Sequence, residues 1–392
     1  MTTERLDEVT DLDPIARSQR RIVSLRRWRG DAPDPALQSW EPRVYRGGAD
    51  GANSPLELAV RPARVLDLLR VARMSRVFRL NQPDLFLHGY SHMAGALRAS
   101  IPARKARPKV FVATSGDSLV GFIHCQTGFP DQRWHVIALG TATGVYDSAP
   151  VEDALIRFAV TAAGLRGVKR IYARAVSGSD LVESFQRVAF NPYATETVFT
   201  CDAFQSGGER VALRAQEASD TWAIHQLYNA TAPRQVQYAE AFTSHRWDVS
   251  GPDELGRQTT RFGWIVDDGH SPAAYARVSC AGSTHLIELL YQPDHREVLG
   301  PLVDSVVNRL RTSTKIERLY CSLRGYQVEA AGVLERRGFD PVLEQDLLVK
   351  YTTATARVPQ PEPAAVHADV IERLPKRVPS FLNQKTSDEA AG

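Results

Sequence analysis

Residues 317–351 read ERLYCSLRGYQVEAAGVLERRGFDPVLEQDLLVKY. Leu319 and Cys321 alternate with polar or amphipathic neighbours, the pattern of a short strand, and Arg324-Gly325 breaks it. A helix follows, with Val328, Ala331 and Leu334 at three-residue spacing. Its last turn is charged over 335–337, where cations suit a helix C-terminus, and Gly338 stops it. Phe339-Asp340-Pro341 then turns the chain into a second strand over 343–351.

The same signature occurs earlier in the chain. Arg170 and Tyr172 stand 148 positions before Arg318 and Tyr320, and Phe185 to Pro192 parallels Leu334 to Pro341 at an offset of 149. A near-constant offset across a strand, a helix and a turn argues for duplication, and its period is one domain long. The strand, helix, Arg-Arg-Gly-Phe, strand ending resembles the C-terminal half of the GNAT superfamily of N-acetyltransferases. The resemblance implies an α/β (mixed α+β) chain of two tandem GNAT-like domains, each a twisted mixed sheet flanked by helices.

Length and composition allow two such units. At about 150 residues per domain, 392 residues hold two to three, and 43% hydrophobic content is ordinary. The net charge of +3 gives no sign of nucleic acid. Cys125, Cys201, Cys280 and Cys321 are widely spaced, so neither a disulfide framework nor a zinc site is expected. His88 and His92 stand at i, i+4 without a third ligand, and no metal is expected. No basic leader precedes an apolar core, and no uncharged apolar run approaches about 18 residues. The expectation is a cytoplasmic protein with no membrane contact.

Four segments follow. Residues 1–54 are a proline-rich extension with nine basic and nine acidic residues, including a stretch of six arginines over 17–29. Residues 55–205 form the first GNAT-like domain, 209–352 the second, and 353–392 a proline-rich flexible tail. In the first domain a helix is expected over 64–78 with Arg61, Arg64, Arg70, Arg73, Arg76 and Arg79 on one face, opposite Val65, Leu66, Leu69 and Val77, and a second helix over 91–100. Eleven basic against three acidic residues over 56–110 suit an acidic partner or the phosphates of a cofactor, although a solvated charged face is the commoner explanation. In the second domain, strands are expected over 210–214, 261–267, 273–279 and 284–291, with a turn at Ala281-Gly282.

The resemblance also implies a site. Members of the superfamily hold the pyrophosphate of acetyl-CoA at a helix N-terminus through a Gln/Arg-x-x-Gly-x-Gly/Ala loop. The second domain offers Arg296 and Gly300 in that register, but Leu299 and Pro301 depart from it. In the first, Gly140 and Gly144 lie near the right place, with Asp147 and Pro150 following. The usual tyrosine proton donor is replaced by Phe185 and Leu334. Backbone groups of Leu289, Leu290 and Tyr291 would align the pantetheine and Gln327 would touch the cofactor arm. Glu288, among apolar neighbours, would be a general base with a raised pKa, unless it pairs with an arginine. The comparable strand of the first domain offers His135 and no carboxylate. Two functions stand open. One is an acyl-CoA-dependent N-acyltransferase, active in at most one domain, with acetyl-CoA as co-substrate and a small-molecule or protein amine as acceptor. The other is a catalytically silent tandem module that binds a ligand or protein.

Overall fold

The computed structural model describes residues 43–46, 57–74, 76–89, 109–128, 133–142, 148–251, 255, 259–269 and 271–352. The expected helix over 91–100, the arginines of 17–29 and the tail from 353 lie outside the described residues. Everything described falls in one compact unit.

The first repeat runs β1 (Arg43–Arg46), β2 (Glu57–Pro62), α1 (Val65–Ala72), β3 (Arg76–Arg79), α2 (Gln82–His88), β4 (Lys109–Ser115), β5 (Ser118–Thr127), β6 (Arg133–Thr141), α3 (Ala149–Gly164), β7 (Arg170–Val176), α4 (Asp180–Arg187) and β8 (Asn191–Cys201). The second runs β9 (Arg214–Ala215), α5 (Thr221–Thr231), α6 (Arg234–Glu240), β10 (Thr260–Asp267), β11 (Pro272–Ala281), β12 (Thr284–Tyr291), α7 (Leu299–Ser313), β13 (Arg318–Arg324), α8 (Val328–Glu335) and β14 (Asp340–Tyr351). Two expectations are corrected. The helix expected over 64–78 ends at Ala72, because Arg76-Val77-Phe78-Arg79 alternates and pairs with β6 as a strand. The strand expected over 210–214 shrinks to Arg214–Ala215.

Each repeat contains one parallel pair, β6 with β7 and β12 with β13, joined by a crossover helix, α3 or α7. The outer strands are antiparallel, so both halves are mixed sheets flanked by helices. The two junctions at the Gly-Phe pair are alike. Ala189 and Gly338 both have left-handed backbone, and Phe190 and Phe339 both donate N–H to the residue five back, Phe185 or Leu334. Both phenylalanines are buried, each in the core of its own half.

The sheets do not close separately at the linker. Spatial order through the middle is β6-β7-β14-β8-β13-β12, so the last strand of each repeat inserts beside the other repeat's parallel pair. Arg170 of β7 faces Tyr351 and Leu319 of β13 faces Cys201. Between them β8 and β14 pair antiparallel over nine registered positions. The helices cross too. Tyr172 on β7 donates to Ala239 O of α6 at 2.7 Å, and Tyr320, its counterpart on β13, stacks on Phe86 of α2 at 5.0 Å. One face carries two cores, α3 and α4 over the first half and α7 and α8 over the second, while α5 and α6 cover a third core that includes Tyr172, Tyr193, Tyr275 and Leu347. No helix among the described residues is long and apolar enough to cross a membrane.

Candidate functional site

In the first repeat the parallel ladder holds for three pairs, Arg133 with Arg170 through His135 with Tyr172, and the strands then part. This is where the resemblance places the cofactor arm. The chain's own segment fills the gap. β3 pairs with β6 from Arg76–Thr141 to Arg79–Ala138, Leu80 N–H donates to Ile137 O at 2.8 Å, and Asn81 N–H reaches Arg174 O on β7 at 3.3 Å. Strand edges that would hydrogen-bond a pantetheine are thereby satisfied by protein. Gly140, expected near a phosphate loop, lies on β6 with the Phe122 ring where a Cβ would stand, so packing explains it. Gly144 and Asp147 lie outside the described residues.

In the second repeat β12 and β13 pair from Thr284–Arg318 to Glu288–Ser322, after which β11 is the one strand still paired with 289–291 among the described residues. Gln327 closes the mouth. Its Nε2 donates to Leu289 O at 2.8 Å, and its Oε1 accepts from Arg324 N–H at 2.9 Å, with the side chain buried. The backbone expected to align a pantetheine and the glutamine expected to touch it are therefore bonded to each other. Leu290 points into the core beneath α5 and α6. The Tyr291 hydroxyl donates to Glu329 Oε2 at 3.3 Å, and burial, helped by that carboxylate, pushes it up to about 12. Phe185 and Leu334, at the proton-donor positions, are fully buried.

The phosphate end is altered as well. A 3-10 turn over Pro293–Val298 runs straight into α7, and Leu299 N–H already donates to Arg296 O. Pro301 contributes no N–H. Gly300 is not a phosphate glycine here: the Arg337 guanidinium packs on its Cα at a distance of 2.5 Å from where a Cβ would stand. Arg337 is held by Asp304 at 3.0 Å through both Nε and Nη2, and the linker's Gly207 N–H donates to the same carboxylate at 3.1 Å. Arg296 is exposed on the turn that precedes α7. These groups do not fit acetyl-CoA as they stand.

Glu288 is corrected most plainly. The β11–β12 register sets Arg277 opposite it. Arg277 donates to Oε2 through Nε at 2.8 Å and Nη2 at 2.5 Å, and Arg246 to Oε1 at 3.2 Å. Burial alone would raise this carboxyl. The two guanidiniums outweigh it and hold Glu288 at about 2. A carboxylate so stabilised is a poor proton acceptor. Arg277 also lies over the Trp247 ring at 5.4 Å and donates to Arg246 O at 2.8 Å, so the pair is braced from two sides. The register is set by the two-residue Gly282-Ser283 turn, which puts Ala281 opposite Thr284 and so 277 opposite 288; a turn at Ala281-Gly282, as the sequence suggested, would have put 288 opposite 275. Arg246 belongs to a 3-10 turn, Ser244–Trp247, and nothing local pointed to it.

Glu288 lines a narrow cleft with Asp84 and Leu87 of α2, Arg174, Arg261 and Ser322. His88 Nε2 lies 3.1 Å from Thr259 Oγ1, and His92 is outside the described residues. Among the described residues no three His, Cys, Asp or Glu side chains cluster as metal ligands.

The repeated parallel pair with its crossover helix, and the helix that returns through a left-handed residue and a buried phenylalanine, give both halves one arrangement, a tandem GNAT-like fold. Among solved structures, a tandem GNAT protein from the clavulanic acid biosynthesis pathway is 17% identical, covering 76% of this chain and 100% of its own, with a TM-score of 0.45. A GCN5-related N-acetyltransferase from Sphaerobacter thermophilus is 9% identical over 76% and 96%, with a TM-score of 0.46. A putative acetyltransferase from Pyrococcus horikoshii is 9% identical over 78% and 93%, at 0.41. No protein-family model matches the chain, and no curated protein does.

Proposed function

We propose that the protein is a tandem GNAT-fold binding module that does not transfer acyl groups at the position used by the superfamily. The observation that carries this is β3, hydrogen-bonded to β6 with its continuation bonded to β7, in the gap where a cofactor would form the same bonds. The second half supports it with the Gln327–Leu289 bond, the turn that consumes the Leu299 N–H, and a Glu288 carboxylate neutralised by two arginines. Calorimetric titration with acetyl-CoA is expected to give no heat and no rise in melting temperature. A ligand at about 100 times its dissociation constant would add about 2.7 kcal/mol, so such a rise overturns the reading.

Acyl transfer in the second half is the other reading. What favours it is that this cleft is closed by one side chain, Gln327, which a rotamer change could withdraw, whereas the first is closed by a strand. An amine acetylated by the wild type, with activity raised in Gln327→Ala, would establish it.

A further inference from the structure

The helix α1 does not bury the face its sequence suggests. Leu68 and Val71 face the core, whereas Leu66 is 82% exposed and Leu69 63% exposed. Arg64, Arg70, Arg73 and Arg76 are exposed around them, with one Arg70 donor resting on Asp117 O of the β4–β5 turn at 3.1 Å and its other guanidinium nitrogens facing outward. Asp67, the acid of this helix, is buried and held by Arg61 at 2.6 and 2.9 Å, so it offers nothing to offset them. The result is two leucines one turn apart, each followed four positions later by an arginine, on a face with no exposed carboxylate of its own helix. All six cations over 57–79 are arginine and none is lysine. Each planar fork suits bidentate pairing with a carboxylate or a phosphate, and the apolar leucines between them suit a segment that carries an apolar stripe beside its acids.

A complementary segment exists in the same chain. Residues 4–13, ERLDEVTDLD, carry five acids and one base, with Leu6, Val9 and Leu12 three apart. The route is short as well. Arg43 of β1 pairs with Val60 of β2, so the chain preceding Arg43 leaves the sheet at the end of β2 that leads into α1. The 29 residues from 14 to 42 reach about 95 Å when extended, so the tether does not limit docking. We propose that residues 4–13 dock in cis on the exposed face of α1, Leu66 and Leu69 meeting the apolar stripe and Arg70 and Arg73 its flanking carboxylates. The N-terminus thus competes with any external acidic partner for this face.

The test is a photo-crosslinker, p-benzoylphenylalanine, placed at Leu69 and separately at Leu66 in the full chain. Both sites are exposed, so folding is expected to survive, with circular dichroism as the control. After irradiation, mass spectrometry is expected to map crosslinks within residues 4–13 at monomer mass. Their yield should fall several-fold at about 1 M salt, where screening acts within about 3 Å, and equally in Arg70→Glu/Arg73→Glu. Crosslinks that join light and heavy copies in an isotopically mixed sample would assign the face to a second copy instead. Crosslinks mapping elsewhere, or a yield indifferent to salt and charge reversal, would overturn the proposal. So would sedimentation with phosphatidylserine vesicles that leaves no crosslink to 4–13 in their absence.

Discussion

Gln345 Nε2 donates to Glu196 Oε2 across the β8–β14 ladder, and these two residues occupy the same position of the two repeats, 149 apart like Phe190 and Phe339. The ladder maps onto itself under that shift: Asn191 faces Val349 while its counterpart Asp340 faces Thr200. A local two-fold axis therefore passes between Glu196 and Gln345. One member stayed an acid. Arg324 pairs with Glu196 at 3.2 Å and with Glu240 at 2.9 Å, while Arg174 lies 3.4 Å from Glu196, so a buried charge cluster ties β7, β8, β13 and α6 at the axis.

Because each repeat's last strand is clamped inside the other, cutting the linker should not part the halves. A protease site inserted between Ser206 and Glu209, once cleaved, should leave both pieces co-eluting in gel filtration under native conditions and separating only in denaturant. Glu196→Ala should lower stability by about 3–5 kcal/mol, because it strands buried guanidinium charge, measured by urea unfolding.

Glu288 gives a pH signature. Its pKa is held at about 2 against an ordinary 4.5, so its contribution to stability is fully present above about 4.5 and is lost as pH falls towards 2. The side chain keeps 31% exposure, which moderates the effect. Glu288→Gln should cost about 2 kcal/mol at pH 7, the scale of hydrogen bonds to a charged group. The wild type's advantage should be constant from pH 8 to 5 and shrink between 4.5 and 2, as read from urea midpoints at each pH.

Gly300 is glycine for packing. Gly300→Ala should cost about 1–3 kcal/mol by overpacking against Arg337, and Asp304→Ala about 3–5 kcal/mol by leaving that guanidinium buried and unpaired. Calorimetry should find acetyl-CoA binding equally absent in both variants and in the wild type. A variant that changed cofactor affinity at unchanged stability would return Gly300 to a phosphate role.

The two left-handed junctions should respond in opposite directions. Ala189, at φ 60°, carries a strain of about 1–2 kcal/mol, so Ala189→Gly should raise the melting temperature or leave it unchanged once the glycine's extra unfolded-state entropy is counted. Gly338→Ala should lower it, since a Cβ there would meet Ala203 O at 2.6 Å.

The duplication, the Gly-Phe turn and most element types were legible in the sequence, because offset, periodicity and turn chemistry are local properties. Three things required the tertiary structure. Leu66 and Leu69 have the spacing of core residues, yet the core side of α1 is decided by how the helix lies on its sheet. β3 reads as the end of a helix until the open edge of β6 offers it a ladder. The exchange of β8 and β14 had no local sign at all: period-two alternation tells a strand which faces to bury, and backbone hydrogen bonds accept any neighbour of the right direction. With two nearly equivalent strands and two equivalent vacancies, the choice between them fell to long-range contacts, the Glu196–Arg324 cluster and the crossing helices α2 and α6.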